Sequence, residues 1–455
     1  MIVPLLRTTE PACQRHVRKL LTRGESGSAQ VEDTVRAILQ EVRRKGDRAL
    51  FAYTRQFDRV HLTPETLAIT KAQMDAALIA LPKTDLVALQ AAARRIAVFH
   101  KKQRQQSWSY RDSLGVTLGQ RIVPLERVGV YVPGGKAVYP SSVLMNVIPA
   151  KVAGVKEVVI VSPPSPQGDH PGILAAARLA GADRFFRVGG AQAVAALAYG
   201  TQTVPRVDKI VGPGNVYVAT AKRLVFGQVD IDMVAGPSEV LVIADESASP
   251  AYVAADMLSQ AEHDELAAAL CLTDSEQVAD AVVHALAAQL AALKRRVIAT
   301  ASLRRHGAVI LARDRQEIVA LANAIAPEHL ELAVKNPRSW LKDIHHSGAI
   351  FLGHLSTGPF GDYVAGPNHV LPTGGTARFS SPLGVYDFLK RTNCIQASSR
   401  ALAILGPQVV RLAEMEGLEA HARAVRYRLN GSNNRSQKRS ETSMQPPITH
   451  PEGEA

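Results

Sequence analysis

Ser259-Gln260-Ala261-Glu262-His263 and Gly361-Asp362-Tyr363 carry the donor types of a metal site: a carboxamide oxygen, an imidazole and a carboxylate. Imidazole suits zinc well, and a carboxamide oxygen is a rarer ligand. The two runs lie far apart in the chain, so no local structural need links them. Between them stands Pro327-Glu328-His329, a carboxylate beside an imidazole, as general acid–base chemistry requires. Metal ligands with an acid/base pair point to an enzyme rather than a scaffold. Glu416 and His421 stand five apart on an expected helix. That spacing is not one tight face, so the two are expected to serve different neighbours. Spacing alone leaves blander readings open. An isolated Gln-x-x-His is more often a surface pair, Glu328 is equally a capping carboxylate, and a lone histidine on a charged helix is usually solvated.

The elements that must position these groups alternate. Ser249-Pro250 is a helix start, a hydroxyl N-cap followed by proline at the first helical position. Counting on, Gln260 and His263 are i and i+3 and share a face. Asp362 follows Phe360-Gly361 in an expected turn, and His329 begins an expected strand. Apolar strand-like runs occupy Val128–Val132, Glu157–Val161, Arg184–Val188 and Lys209–Val211, and again Glu239–Ile243, Ala268–Leu272, Ala308–Leu311 and Ala349–Leu352. Alanine-rich helical stretches such as Ile173–Leu179 and Ala191–Ala198 separate them. Continuous apolar strands with helices between them imply buried, mostly parallel sheets. The expected fold is α/β, with two incomplete Rossmann-like doubly wound domains and small helical N- and C-terminal extensions. Residues 27–108 and 400–428 read as helical.

Several strands end in glycine-rich turns: Pro133-Gly134-Gly135-Lys136, Val188-Gly189-Gly190-Ala191-Gln192 and Gly212-Pro213-Gly214-Asn215. Such turns let a backbone approach a ligand, and a following helix N-terminus favours a phosphate. None is a GxGxxG or Walker A loop. Tight α/β turns need glycine anyway, so the signal lies in three of them in one domain, which suits a dinucleotide in a non-standard pose.

Bulk properties set the limits. The chain has 455 residues, 46% of them hydrophobic and 21% charged, which suits a multi-domain soluble globule. No run of about 18 apolar residues suggests a membrane span, and the N-terminus lacks the order of a signal peptide. Cys13, Cys271 and Cys394 are widely separated and form no CxxC, which fits a reducing cytoplasm. The formal charge of +12 is spread along the chain without an aromatic-interleaved basic stripe, so no nucleic-acid partner is expected.

At the functional runs the chain closely resembles the histidinol dehydrogenase family. The match includes Gly129-Val130-Tyr131-Val132-Pro133-Gly134-Gly135, the turns at Gly189 and Gly212, Ala235-Gly236-Pro237-Ser238-Glu239, Ser259–His263, Ala326-Pro327-Glu328-His329-Leu330, Gly361-Asp362-Tyr363 and Gly366-Pro367-Asn368-His369. The motifs stand in order from about residue 25 to residue 428. The resemblance implies one zinc per subunit, held by Gln260, His263, Asp362 and His421, with the last ligand from the other subunit of a homodimer. It implies NAD contacts from Tyr131, Gln192 and Asn215. It places Ser238, Gln260, His263, His329, Asp362, His369, Glu416 and His421 around the substrate, and it makes Glu328 and His329 catalytic. The implied reaction oxidises L-histidinol to L-histidine through the aldehyde, with two NAD reduced.

On this reading residues 27–128 and 239–382 form the first Rossmann-like domain, with the metal and acid/base residues. Residues 129–238 form the second, which binds NAD. Residues 1–26 are an N-terminal helical extension, 383–429 a C-terminal helical domain reaching the partner subunit, and 430–455 a disordered tail of almost no large apolar residues. Two other classes of function compete. A zinc hydrolase would use Glu328 on a metal-bound water, but the chain has no HExxH and the glycine turns would go unexplained. A non-catalytic nucleotide- or nucleic-acid-binding protein would bind in a salt-sensitive way without zinc.

Overall fold

Runs such as Val158–Val161 and Val240–Ala244 are buried along their whole length in the computed structural model, which describes residues 2–22, 29–134 and 139–442. A strand apolar on both faces is stable only between two layers, and helices on both sides favour parallel pairing. Two six-stranded sheets result. One runs in the order Leu5–Arg7, Ala308–Leu311, Ala268–Thr273, Glu239–Ala244, His329–Ala333, Ala349–Leu352, and every neighbouring pair is parallel. The other runs Ala68–Ile69, Arg184–Arg187, Glu157–Ser162, Arg127–Tyr131, Lys209–Val211, Asp230–Ile231 and is parallel except at its first pair.

Both sheets share one winding. The chain lays down a central strand, Glu239–Ala244 or Arg127–Tyr131, steps outward twice, and then crosses to the other side of that strand. Each sheet therefore has a topological switch point beside its central strand. Alternate residues of the strands feed opposite cores: Val240 and Val242 join one cluster, Leu241 and Ile243 another. Val128 and Val130 divide from Tyr131 and Val159 in the same way. Each fully buried aliphatic side chain contributes roughly 1.5–3 kcal/mol of burial.

The N-terminal third groups differently from the sequence expectation. Leu5–Arg7 is not part of a helical extension but an edge strand, in register with Val309–Leu311, and the helix Pro11–Leu21 follows it. Residues 29–101 join the sheet of Arg127–Tyr131 rather than that of Glu239–Ala244. The helix Ala29–Lys45 buries Val35, Ile38, Leu39 and Val42 in the same cluster as Leu197 and Val218, and Ala68–Ile69 pairs with Arg184–Arg187. The physical reason is the apolar stripe of that helix, which finds its complement on the helices Gly190–Tyr199 and Val216–Val225.

A second compact unit comprises Gln105–Val123 and the chain from Lys390 onward. Its three-stranded sheet has the order Leu389–Gln396, Thr117–Pro124, Trp108–Arg111, and two helices pack on each other, Ser399–Met415 and Glu419–Thr442. Residues 383–388 stay with the first unit, where Val385 and Phe388 enter its core. The expected tail is corrected in part: the last helix continues through Thr442. Few apolar residues there argue against a packed core, but a helix closes its backbone hydrogen bonds within itself once an anchored turn has nucleated it. Residues 443–455 lie outside the described residues.

Candidate active site

A cavity of about 1370 Å³ opens between the two sheets, and they offer it opposite ends. The sheet of Arg127–Tyr131 presents its carboxyl edge: Tyr131 and Ser162 close their strands, and the turns at Gly190 and Gly212 follow theirs. The sheet of Glu239–Ala244 presents its amino edge. Ser238 precedes its central strand and His329 opens the next, and both line the cavity. In parallel α/β units each helix runs back against the strands, so the end of the helix Pro250–Ala261 brings Gln260 to that same edge.

The carboxyl-edge half is built for close backbone approach. The Tyr131 hydroxyl accepts a hydrogen bond from the Gly190 amide at 3.0 Å, and burial pushes its pKa up to about 12. Gln192 stands in the first turn of the helix Gly190–Tyr199, is 1% exposed, and its Oε1 has no hydrogen-bond partner among the described residues. Asn215 caps the helix Val216–Val225, its Oδ1 accepting from the amides of Tyr217 and Val218 at 3.0 and 3.1 Å. Two helix N-termini thus end at the cavity, each favouring negative charge. Gly212 has φ +105°, and a Cβ there would lie 2.2 Å from the Tyr131 carbonyl oxygen. Its two backbone polar groups are held by one buried ion pair. Asp232 accepts from the Gly212 amide at 2.8 Å, and Lys222 donates to the Gly212 carbonyl at 2.9 Å and to Asp232. Of the third glycine turn, Gly134 lines the cavity, while Gly135 and Lys136 lie outside the described residues.

The amino-edge half carries Glu328 and His329. Glu328 Oε2 accepts from the Glu239 amide at 2.9 Å and lies 3.6 Å from His329 Nδ1. His329 Nδ1 faces the Glu239 carbonyl oxygen at 3.1 Å, and Nε2 faces Asp362 Oδ1 at 3.3 Å. A carbonyl can only accept, so Nδ1 carries a proton and Nε2 is the basic nitrogen of the neutral ring. Burial would lower the His329 pKa, but the charges of Glu328 and Asp362 outweigh it and raise it well above the usual imidazole value. The Phe351 ring stacks on His329 and packs against Gly361, where a Cβ would come within 2.6 Å of it.

Asp362 does not sit in an open turn. It lies in a single π-helical turn, Gly361–Ala365, a local irregularity common at functional sites. Burial raises its carboxyl, but His329, with His369 and His263 nearby, holds it below the ordinary carboxylate value. His369 Nδ1 faces the Asp362 carbonyl oxygen at 2.9 Å, and Asn368 is pinned beside it to the Met145 carbonyl at 2.6 Å. Burial lowers the His369 pKa. His263 lies just beyond its helix, which ends at Ala261, yet its amide bonds to the Gln260 carbonyl at 3.2 Å, so the i, i+3 relation survives in a tightened last turn. Gln260, His263 and Asp362 all line the cavity. Among the described residues the side chains of Gln260 and His263 have no protein hydrogen-bond partner, and no three His, Cys, Asp or Glu side chains by themselves form a metal-holding group. One carboxamide oxygen, one imidazole and one part-buried carboxylate nevertheless match the mixed N/O donor set that zinc accepts.

Ser238, His329 and His369 line the same cavity. Glu416 and His421 belong to the second unit, and they do not share a helix as expected. Glu416 caps the helix Ser399–Met415, Gly417 turns the chain at φ +73°, and His421 stands in the next helix. Glycine at positive φ ends a helix readily, which separates the two side chains.

Three further groups escaped the sequence reading. Asp58 lines the carboxyl-edge half, with its pKa pushed up to about 6 by burial. Lys222 and Asp232 clamp Gly212. Asp256, part-buried, and Glu331, buried, are anchored to the consecutive residues Thr357 and Gly358. These two acids had a readable signal: Asp256 is one helical turn before Gln260, and Glu331 is two residues after His329, on the same strand face.

Comparison with known proteins agrees over nearly the whole chain. A family model described as histidinol dehydrogenase matches residues 21–429. The histidinol dehydrogenase of Syntrophotalea carbinolica is 59% identical over 414 residues, covering 91% of this chain and 96% of that protein. That of Geobacter metallireducens is 55% identical over 414 residues, covering 90% and 95%. The crystal structure of histidinol dehydrogenase from Elizabethkingia anophelis matches with a TM-score of 0.89 at 35% identity, over 95% of this chain and 99% of that one.

Proposed function

The chain belongs to the histidinol dehydrogenase family, NAD-dependent oxidoreductases of histidine biosynthesis, and we propose that it oxidises L-histidinol through L-histidinaldehyde to L-histidine with zinc bound, reducing two NAD. The observation that carries this reading is the meeting of Glu328, His329, Gln260, His263 and Asp362 in one cavity with the glycine turns of a doubly wound sheet.

His329 Nε2 would take the proton of the substrate hydroxyl, and NAD, when bound, would supply the hydride acceptor. Glu328 takes a proton from the water that adds to the aldehyde. His329, once it has given its first proton to solvent, would remove the hydroxyl proton of the hydrate in the second oxidation. A base works from its neutral state, whereas the charges of Glu328 and Asp362 favour the protonated ring of His329. The reading therefore needs Asp362 to be engaged elsewhere. Gln260, His263 and Asp362 would hold zinc, with His421 supplied by a second copy of the chain. When bound, zinc supplies a positive template that orients the imidazole and amino nitrogens of the substrate. Tyr131, Gln192 and Asn215 are the proposed NAD contacts. Ser238, His369 and the second copy's Glu416 are proposed to complete the substrate pocket.

The homodimer is supported by the second unit, which exposes Trp108, Tyr110, Ile395, Leu412, Met415 and Tyr427. Large apolar side chains gathered on one unit are what a self-complementary interface covers. Cytoplasmic action with no membrane or nucleic-acid partner completes the reading. Among the described residues no single helix is long and apolar enough to cross a membrane.

The test is an assay of purified protein with histidinol, NAD and zinc, with and without a chelator. NADH absorbance should rise and be abolished by the chelator. Absence of NADH from the zinc-loaded protein overturns the proposal.

A further inference from the structure

Asp256 and Glu331 each hold one of two consecutive residues. The Thr357 hydroxyl donates to Asp256 Oδ1 at 2.6 Å, and the Gly358 amide donates to Glu331 Oε1 at 2.7 Å. Anchored to consecutive residues, the two carboxyl groups are held side by side, and burial raises the pKa of both. Glu331 is 3% exposed and Asp256 only partly exposed, so solvent offers the pair little help. Two adjacent carboxylates so little exposed resist ionising together, because like charge at low dielectric is costly. One of the two is therefore favoured as a carboxylic acid.

The position of the pair gives it a task. Asp256 is on the helix Pro250–Ala261, one turn before Gln260. Glu331 is on the strand His329–Ala333, two residues after His329. Thr357 and Gly358 begin the short helical run that continues into the π turn of Asp362. The three elements that carry Gln260, His329 and Asp362 are thus tied at one point. Little slack exists there: a Cβ at Gly358 would approach Glu331 Oε1 to 3.3 Å.

We propose that Asp256 and Glu331 share one proton and act as positioning residues, clasping the Thr357–Gly358 turn so that Asp362 is presented in register with Gln260 and His263. The inference rests on the zinc reading of those three residues for its effect on the site, but the shared proton does not. Groups that orient a ligand from behind it change metal affinity or activity roughly 10–100-fold when removed.

The experiment uses the full-length protein and zinc itself, with affinity read by competition against a chromophoric chelator. Glu331→Gln keeps an acceptor for the Gly358 amide and gains a donor for Asp256, so it should retain zinc affinity and kcat within about threefold, less than one lost hydrogen bond. Glu331→Leu leaves both partners unmet and should weaken zinc roughly 10–100-fold, with KM for NAD unchanged. The wild type should show the infrared carbonyl band of a buried protonated carboxyl, and Glu331→Gln should lack it. Should Glu331→Leu not fold, Thr357→Val decides, since it removes one clasp contact and leaves both acids; it should weaken zinc severalfold. Wild-type zinc affinity in a folded Glu331→Leu, or in Thr357→Val where that variant decides, overturns the positioning role. Absence of the carbonyl band from the wild type overturns the shared proton. Failure of the wild type to bind zinc would instead count against the proposed function, and the infrared result would stand apart from it.

Discussion

His329 and Lys222 are both buried, and their surroundings give them opposite tasks. His329 keeps Nε2 toward the cavity because Nδ1 is committed to the Glu239 carbonyl oxygen. Removing a general base typically lowers turnover by roughly 10²–10⁴-fold. His329→Ala should therefore reduce kcat for NADH formation by about that range, with NAD binding little changed, as steady-state kinetics would read. Lys222 does no chemistry. It is 2% exposed and paired with Asp232, and together they hold both backbone groups of Gly212. Lys222→Met leaves Asp232 buried and uncompensated, a loss of about 3–5 kcal/mol. Denaturant unfolding should show that loss, and adding Asp232→Asn should restore part of it, because the two sites are coupled. A double mutant no better than Lys222→Met alone would argue that the pair is not the source of the loss.

The strand His329–Ala333 contributes its first residue to the proposed chemistry and its third to the proposed clasp, so its protonation is a property of the element. Burial, and then Asp256, push the Glu331 carboxyl up to about 9 from an ordinary 4.5. Folded protein therefore keeps a proton that the unfolded chain gives up above its ordinary value. The stability this contributes is complete below about pH 4.5 and is lost progressively as pH rises toward about 9. Glu331→Gln has no such proton to lose. Relative to wild type it should gain more than about 1 kcal/mol between pH 5 and pH 8.5, the equivalent of one pKa unit. Equal pH slopes in denaturant unfolding would contradict this. Legibility in the sequence divides along the same line. Strands such as Glu157–Ser162 announce themselves because burial on both faces demands an unbroken apolar run. Leu5–Arg7, Ala68–Ile69 and Asp230–Ile231 do not, being two- or three-residue edges defined only by distant partners. Gln260, His263 and Asp362 were legible as donor types. Asp256 and Glu331 were legible only by their spacing from Gln260 and His329; that the two meet was not, because only the tertiary fold brings them together and desolvates them.

At the scale of the whole molecule, the two sheets face one cavity. The carboxyl edge of one offers glycine turns and helix N-termini, while the amino edge of the other offers Glu328 and His329. The same winding, used from opposite ends, brings both sets together, as the proposed binding of NAD beside a small substrate requires. That arrangement supplies every proposed site residue except Glu416 and His421, which belong to the second unit. If those two serve the site of a second copy, catalysis belongs to the dimer, and complementation is its signature. Glu328→Gln and His421→Ala homodimers should each be nearly inactive. A heterodimer of the two would pair an intact Glu328 with an intact His421 in one of its two sites and carry both defects in the other. With random exchange half the dimers are mixed, so recovered activity should approach about a quarter of wild type. Refolding the two variants together and assaying NADH formation reads this directly. Heterodimers shown to form by differential tags, yet without activity above either parent, would mean that each copy builds its site alone.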